Sequence, residues 1–340
     1  MNFRIRKSLL AVAVSGLVAA PLAHATNGYF MHGYGSKEKG MAGAGVAYNH
    51  NDAMAAATNP AAMAFVDQRV DVGLQIFSPS PRKYTSTGTA TNFADLPPPD
   101  GTGQFTFSIG DGSQSIESEN DFFLLPHGAV NWLLNDKTTI GLAVYGNGGM
   151  NTEYVGGFAS VNDALVGGTG AGAAQLPGTF GAGTAGINLE QMFFNFISSY
   201  KLNPKHALGG SLIVVGQRFR AQGLEFFGSF SSDPANLSGN VNSLSWGLGA
   251  KVGYQGEVAE GVRVGISYQS KISMGELDED KGLFAEGGDF DIPSTYTLGV
   301  SFDVGQTGVI VADYQRINYS DVASISNPFS NILTCNPYTT

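Results

Sequence analysis

Residues 244–271 read LSWGLGAKVGYQGEVAEGVRVGISYQSK. Leu244, Trp246, Leu248, Ala250, Val252 and Tyr254 fall on one parity; Ser245, Gly247, Gly249, Lys251 and Gln255 fall on the other. Val262, Val264, Ile266 and Tyr268 then alternate with Arg263, Gly265, Ser267, Gln269 and Lys271. Successive side chains of a strand point to opposite faces, so this spelling describes a sheet with one apolar and one polar face.

The same period recurs on both sides. Arg69 to Phe77 places Val70, Val72, Leu74 and Ile76 opposite Arg69, Asp71, Gly73 and Gln75. That length fits the roughly 9–11 residues a strand needs to cross a bilayer. Further strands are expected at Asp121–Leu134, Lys137–Asn151, Ile187–Leu202, His206–Gln222, Tyr296–Val304 and Val309–Tyr319. Asn135-Asp136 and Asn203-Pro204-Lys205 are tight turns, whereas 78–119 and 155–186 are long connections. Alternation of short turns with long loops is the periplasm-to-exterior rhythm of a transmembrane barrel. Nine membrane strands can be read. An odd count would leave an edge of unpaired backbone in lipid. Residues 327–340, NPFSNILTCNPYTT, read as a loop, so the expectation is a chain incomplete at its C-terminus.

Composition agrees. There are 47 glycines, only 14% charged residues and a mean hydropathy of zero. A soluble domain carries about 25% charged residues, and a helical membrane protein shows apolar runs of about 18 or more. Such runs are missing outside the N-terminus. There, Arg4, Arg6 and Lys7 precede an apolar stretch from Leu9 to Ala20 and an Ala23-His24-Ala25 cleavage site, which reads as a secretory signal over residues 1–25. Its removal takes the formal charge from −10 to −13, which gives no support to nucleic-acid binding. Cys335 is the one cysteine, so no intrachain disulfide is expected.

Residues 26–66, TNGYFMHGYGSKEKGMAGAGVAYNHNDAMAAATNPAAMAFV, are not strand sequence. They are rich in Gly and Ala. Asp52 is placed to cap a short helix over Ala53–Thr58, which Pro60 should end. A compact plug ahead of many amphipathic strands suits a stopper inside a barrel, with 67–340 forming the wall.

These features resemble the FadL/TodX family of outer-membrane hydrophobic-compound transporters. The anchors are Gly40-Met41-Ala42-Gly43-Ala44-Gly45, Asp52, Asn59-Pro60-Ala61, Leu125-Pro126, and Asp291-Ile292-Pro293-Ser294-Thr295-Tyr296 running into Leu298-Gly299-Val300. The resemblance implies an all-β, 14-stranded antiparallel barrel, about nine strands of which are present here, with a small N-terminal helical hatch in the lumen. It implies passive uptake of hydrophobic molecules, long-chain fatty acids or aromatic hydrocarbons, by a monomer without cofactor, in contact with outer-membrane lipid and lipopolysaccharide. It assigns Asn59, Pro60 and Ala61 to the hatch motif, and the mature N-terminus (Thr26, Asn27, Gly28, Tyr29, Phe30) to a ligand pocket and gate. It also implies a side exit into the bilayer at a kink in the third strand. Gly146-Asn147-Gly148-Gly149 lies in that strand, and three glycines in four positions favour a bulge.

Each of these has a plainer reading. Asn59-Pro60 is also a helix stop, Gly146–Gly149 also a loop start, and residues 26–30 also a disordered terminus. Phe158, Val161, Leu165, Val166, Leu176 and Phe180 in the 155–186 loop suit a first-contact groove, and the acidic run from Glu276 to Asp280 suits a solvated face. A general porin is the rival function. No catalytic or metal residues are assigned: His32, His50, His127 and His206 lack metal-ligand spacing and there is no G-x-S-x-G elbow.

Overall fold

Among the described residues, nine antiparallel strands form one curled wall, each pairing with its neighbour in sequence order along it. The computed structural model describes residues 27–79, 81–86, 91–92, 106–109, 114–162, 173–239 and 241–328. The signal segment, Thr26, Leu165, Val166 and Cys335 lie outside the described residues. The strands are β1 (Arg69–Phe77), β2 (Lys83–Ser86), β3 (Thr91–Asn92), β4 (Thr106–Ile109), β5 (Gln114–Glu117), β6 (Phe123–Leu133), β7 (Thr138–Tyr154), β8 (Phe158–Asn162) and β9 (Ala173–Pro177). They continue with β10 (Ala185–Asn203), β11 (His206–Gln222), β12 (Ser243–Ala259), β13 (Val262–Gln269), β14 (Ser273–Met274), β15 (Thr295–Val304) and β16 (Gly308–Ile317). The wall order is β1-β6-β7-β10-β11-β12-β13-β15-β16, with β14 added to β12. These nine are the nine strands expected from alternation. Among the described residues, no helix is long and apolar enough to cross a membrane.

Register turns the alternation into two faces. Val70 (67% exposed), Val72 (83%), Leu244 (71%) and Trp246 (64%) stand on the outside. A continuous outer surface of this kind is stable against lipid and costly against water. The inner face carries Ser, Thr, Asn, Gln, Asp, Lys and Gly together with a buried apolar patch that includes Tyr145, Phe193, Ile213, Val215 and Phe219, and residues 27–66 lie against it.

The long connections differ from their sequence reading. The 155–186 segment contains β8 and β9, and β8 pairs with β4 of the preceding long loop. Ala159 and Val161 are fully buried there, packed with Ile109, Leu176, Phe180 and Phe227. Ala159, Val161, Leu176 and Phe180 therefore bury one another instead of lining an open groove. The acidic loop is not merely solvated: Leu277 and Asp280 are buried, and Ser243 Oγ donates to Asp280 Oδ2 at 2.7 Å. Burial raises the Asp280 carboxyl above its usual range. The 135–136 turn is also longer than two residues. Leu134 to Lys137 connect β6 and β7, and Asn135 Oδ1 accepts from the amides of Lys137 and Thr138.

Candidate binding and gating site

The N-terminal segment folds into α1 (Ser36–Gly40), α2 (Ala55–Thr58) and a 3-10 turn over Pro60–Phe65. The expected cap is not there: α2 starts two residues later than read, at Ala55, its N-cap position is Met54 with no side-chain cap, and Asp52 instead accepts from Met54 N at 2.9 Å in the turn before it. Pro60 does end α2, and it also begins the next turn, because its fixed φ suits the first helical position. Asn59 Oδ1 accepts from Ala61 N at 3.0 Å, while its Nδ2 donates to Val46 O (2.7 Å) and Tyr254 O (2.9 Å). Fully buried, Asn59 joins two parts of the N-terminal segment to β12.

The wall holds this segment through inward polar side chains. Asp71 on β1 accepts from Ala53 N (2.8 Å), and Asn131 on β6 donates to Val66 O (3.0 Å). Ser199 donates to Pro60 O, Lys251 to Ala57 O and Ser267 to Thr58 O. Asp313 on β16 accepts from Gly45 N (2.8 Å) and Val46 N (2.9 Å). That contact explains the Gly-Met-Ala-Gly-Ala-Gly run. Ala42 and Gly43 turn at positive φ, which aims the following amides at one carboxylate. Between these bonds the wall presents bare backbone. A Cβ on Gly209 would lie 2.3 Å from Ala61 N, and one on Gly253 2.0 Å from Asn59 Oδ1. Many of the inward glycines are thus sites of close approach to the N-terminal segment.

The strand carrying Gly146–Gly149 contains a bulge. Gln191 of β10 faces Gly148 and Met192 faces Gly146, so Asn147 has no partner across that ladder. The extra residue is served from inside. Met31 N donates to Asn147 O (2.8 Å), Gly149 N donates to Tyr29 O (3.0 Å), and Phe30 forms a bridge with Gly148. Gly148 has φ +147°, and a Cβ there would sit 1.7 Å from Tyr29 O. The side chain of Asn147 is buried. Its Oδ1 accepts from Tyr34 Oη (2.9 Å) and its Nδ2 donates to Gln191 Oε1 (3.3 Å). Gln191 Nε2 donates to Gln217 Oε1 (2.7 Å), and Gln217 Nε2 donates to Phe290 O (3.3 Å). This polar chain links the bulge to a set of rings. Tyr29 lies 5.0 Å from Phe30, 6.0 Å from Phe290 and 5.7 Å from Tyr319, and Phe284 lies 4.9 Å from Phe290.

The structure therefore brings together two of the regions singled out in the sequence, Asn27–Phe30 and Asn147–Gly149. Tyr29 and Phe30 are 8% and 3% exposed, so these two residues are packed and not free in solvent. Gly146 stays in the ladder opposite Met192, away from the N-terminal segment, and Asn59–Ala61 touch other strands. Sequence reading missed Tyr34, Glu38, Gln191, Gln217, Phe290 and Tyr319. Gln191 and Gln217 had a signal, since both are polar residues at inward parity. Glu38 had none. It is 3% exposed within the N-terminal segment, its Oε2 accepts from Tyr34 N (2.9 Å), and burial lifts its carboxyl to about 7. Among the described residues, no cluster of His, Cys, Asp or Glu could hold a metal ion. Asp291 of the Asp-Ile-Pro-Ser-Thr-Tyr anchor instead pairs with Lys271 (2.6 Å) and accepts from Met274 N, fixing the loop that carries Phe290.

A curled antiparallel wall with a lipid-type outer face and an occupied interior is the construction of a transmembrane β-barrel. The family model of outer membrane protein transport proteins (OMPP1/FadL/TodX) matches residues 16–331. The chain belongs to this family of outer-membrane transport proteins. No curated protein sequence matches it. Among solved structures, a Pseudomonas aeruginosa FadL homologue aligns at TM-score 0.53 and 19% identity, over 86% of this chain and 70% of that one. The Ralstonia pickettii toluene transporter TbuX aligns at 0.56 and 17%, over 85% and 73%. The P. putida toluene transporter TodX aligns at 0.55 and 17%, over 86% and 72%. At these identities the likeness is one of fold.

Proposed function

We propose that this protein admits hydrophobic small molecules, long-chain fatty acids foremost, by passive diffusion through an outer-membrane barrel, as a monomer surrounded by membrane lipid and lipopolysaccharide. The observation that carries the reading is the docking of Tyr29–Met31 on the Asn147 bulge. A strand ladder is broken at one place, and a removable segment covers that place from inside. Withdrawal of the segment opens the ring-lined interior towards the gap at Asn147–Gly149, and the ligand passes sideways into hydrocarbon. A greasy solute that leaves this way avoids re-entering water, which costs about 25 cal/mol per Å² of its apolar surface. Asn59, Pro60 and Ala61 anchor the rest of the hatch to the wall while the end moves. The packed interior disfavours a general porin, which needs an open lumen.

Aromatic hydrocarbons are the second reading, supported by the rings of Tyr29, Phe30, Phe290 and Tyr319 and by the toluene transporters among the similar structures. The test follows labelled oleate and labelled toluene into transport-deficient cells producing the protein or a Gly148→Arg variant. Oleate entry lost in the variant supports fatty-acid uptake through the side exit. Toluene entry alone moves the substrate to hydrocarbons. Entry of neither above empty cells refutes the uptake reading.

A further inference from the structure

The outer wall is notched near its short turns. Phe196, Ser198 and Tyr200 face outward on β10, and Leu208, Gly210 and Leu212 face outward on β11. Register sets Phe196 beside Leu212, Ser198 beside Gly210 and Tyr200 beside Leu208. Two small residues therefore lie side by side between two pairs of large ones. Ile140 on β7 and Trp132 on β6 continue the middle row and close its end. The result is an apolar groove of about 820 Å³. A Cβ on Gly210 would come no nearer to any atom than 4.0 Å, so the floor is open. Fluid lipid tails wet any apolar wall, whereas a groove of fixed shape gains dispersion contacts from one tail that stays in it.

Height on the wall and charge select the occupant. Gly210 lies four residues beyond the start of β11 at His206, about 10 Å above the rim of short turns at a strand's rise and the usual tilt. The apolar band is about 25 Å tall, so the groove belongs to the leaflet on the short-turn side, the periplasmic one in outer-membrane barrels. Below it run Thr138, Tyr200 and Leu208. Thr138 is the small member of that row and opens the groove to the rim, where the next residue is the exposed Lys137. Lys201 is adjacent, its amide donating to Lys137 O at 2.8 Å. Among the described residues neither lysine has an ion-pair partner, while Lys205 holds Glu257 at 3.0 Å. Three lysines thus stand here against Asp136 and Glu257, in a chain whose formal charge is −10. Trp132 and Tyr200 add an N–H and an O–H at the level where such rings meet lipid headgroups. We propose that the groove seats one anionic phospholipid of this leaflet, an acyl chain lying over Ser198 and Gly210 and the phosphate meeting Lys137. The site is on the opposite face of the wall from the N-terminal segment and does not depend on the uptake reading.

The two tryptophans of the chain make the test direct, since both stand on the outer wall and only Trp132 lines the groove. The full chain is placed in phosphatidylcholine vesicles as Trp246→Phe, which leaves Trp132 to fluoresce, and as Trp132→Phe, which leaves Trp246. Each is titrated with brominated phosphatidylglycerol and with brominated phosphatidylcholine, and quenching gives the affinity of one lipid relative to the other. The expected result is a preference of about fivefold for phosphatidylglycerol at Trp132, the effect of one lysine near a membrane surface, and no preference at Trp246. In the Trp246→Phe background, Lys137→Gln and the groove-filling Gly210→Leu should each bring the preference close to one. Equal quenching by the two lipids at Trp132 overturns the site, as does a preference that either variant leaves unchanged. A Trp132 that neither lipid quenches is covered by protein, which overturns it as well.

Discussion

Gly148 meets Tyr29 through backbone alone: the carbonyl oxygen of Tyr29 occupies the place a Cβ on Gly148 would take, 1.7 Å away. The contact needs glycine twice, for space and for φ +147°. Gly148→Ala is therefore expected to release residues 27–31 from β7. Gly146→Ala has its nearest neighbour at 3.7 Å and should leave them docked. Labelling of a cysteine placed at Asn27 reads the difference. Equal, slow labelling in both variants would contradict the docking described.

Asn59 spends both amide protons on carbonyls from two different parts of the chain. Asn59→Leu strands Val46 O and Tyr254 O, at a cost of about 3 kcal/mol. Local opening of the hatch should rise about a hundredfold. Trypsin cleavage at Lys37 and Lys39 is the measure, Lys37 being exposed.

The hatch should respond to pH through Glu38. Burial, with Asp313 nearby, raises its carboxyl from 4.5 to about 7, against opposing contributions from Thr58, Tyr34 and Lys251. The folded value lies above the unfolded one. The packing benefit is therefore complete below about 4.5 and is lost as pH rises through about 7. The span is roughly 3 kcal/mol. Hydrogen exchange of residues 33–45, corrected for intrinsic rates, should be slower at pH 5 than at pH 8. Glu38→Gln should remove that difference.

Gly209 and Gly210 are adjacent on β11 and point opposite ways. A Cβ at Gly209 collides with Ala61 N and Pro60 C, whereas one at Gly210 comes no nearer than 4.0 Å to Lys251 O. Gly209→Ala should displace the hatch and produce a conducting pore in planar bilayers. Gly210→Ala should remain silent.

The wall was legible because its grammar is local. Leu244, Trp246 and Leu248 declare their face without reference to any other strand, and the nine strands follow from that rule alone. The bulge was half legible: three glycines flagged the place, but only the register between β7 and β10 shows that Asn147 is the extra residue. Glu38 was not legible at all, since a glutamate between two lysines reads as surface. Its burial is decided by contacts with Tyr34 and by the wall behind it. The same holds for Asp280, whose partner Ser243 lies on another element, and for the pairing of β4 with β8, a bond between two loops that carry no shared pattern.

The position of the bulge along β7 has a consequence for delivery. Asn147 lies nine residues beyond the start of the strand at Thr138, about 30 Å of chain at a strand's rise. At the usual barrel tilt this lifts Asn147 about 23 Å above the rim that carries the short turns, nearly the full height of the apolar band. A molecule leaving by the proposed side exit would thus enter the outer leaflet. Its onward journey would then begin with a crossing between leaflets, a step outside the barrel on which the barrel has no hold.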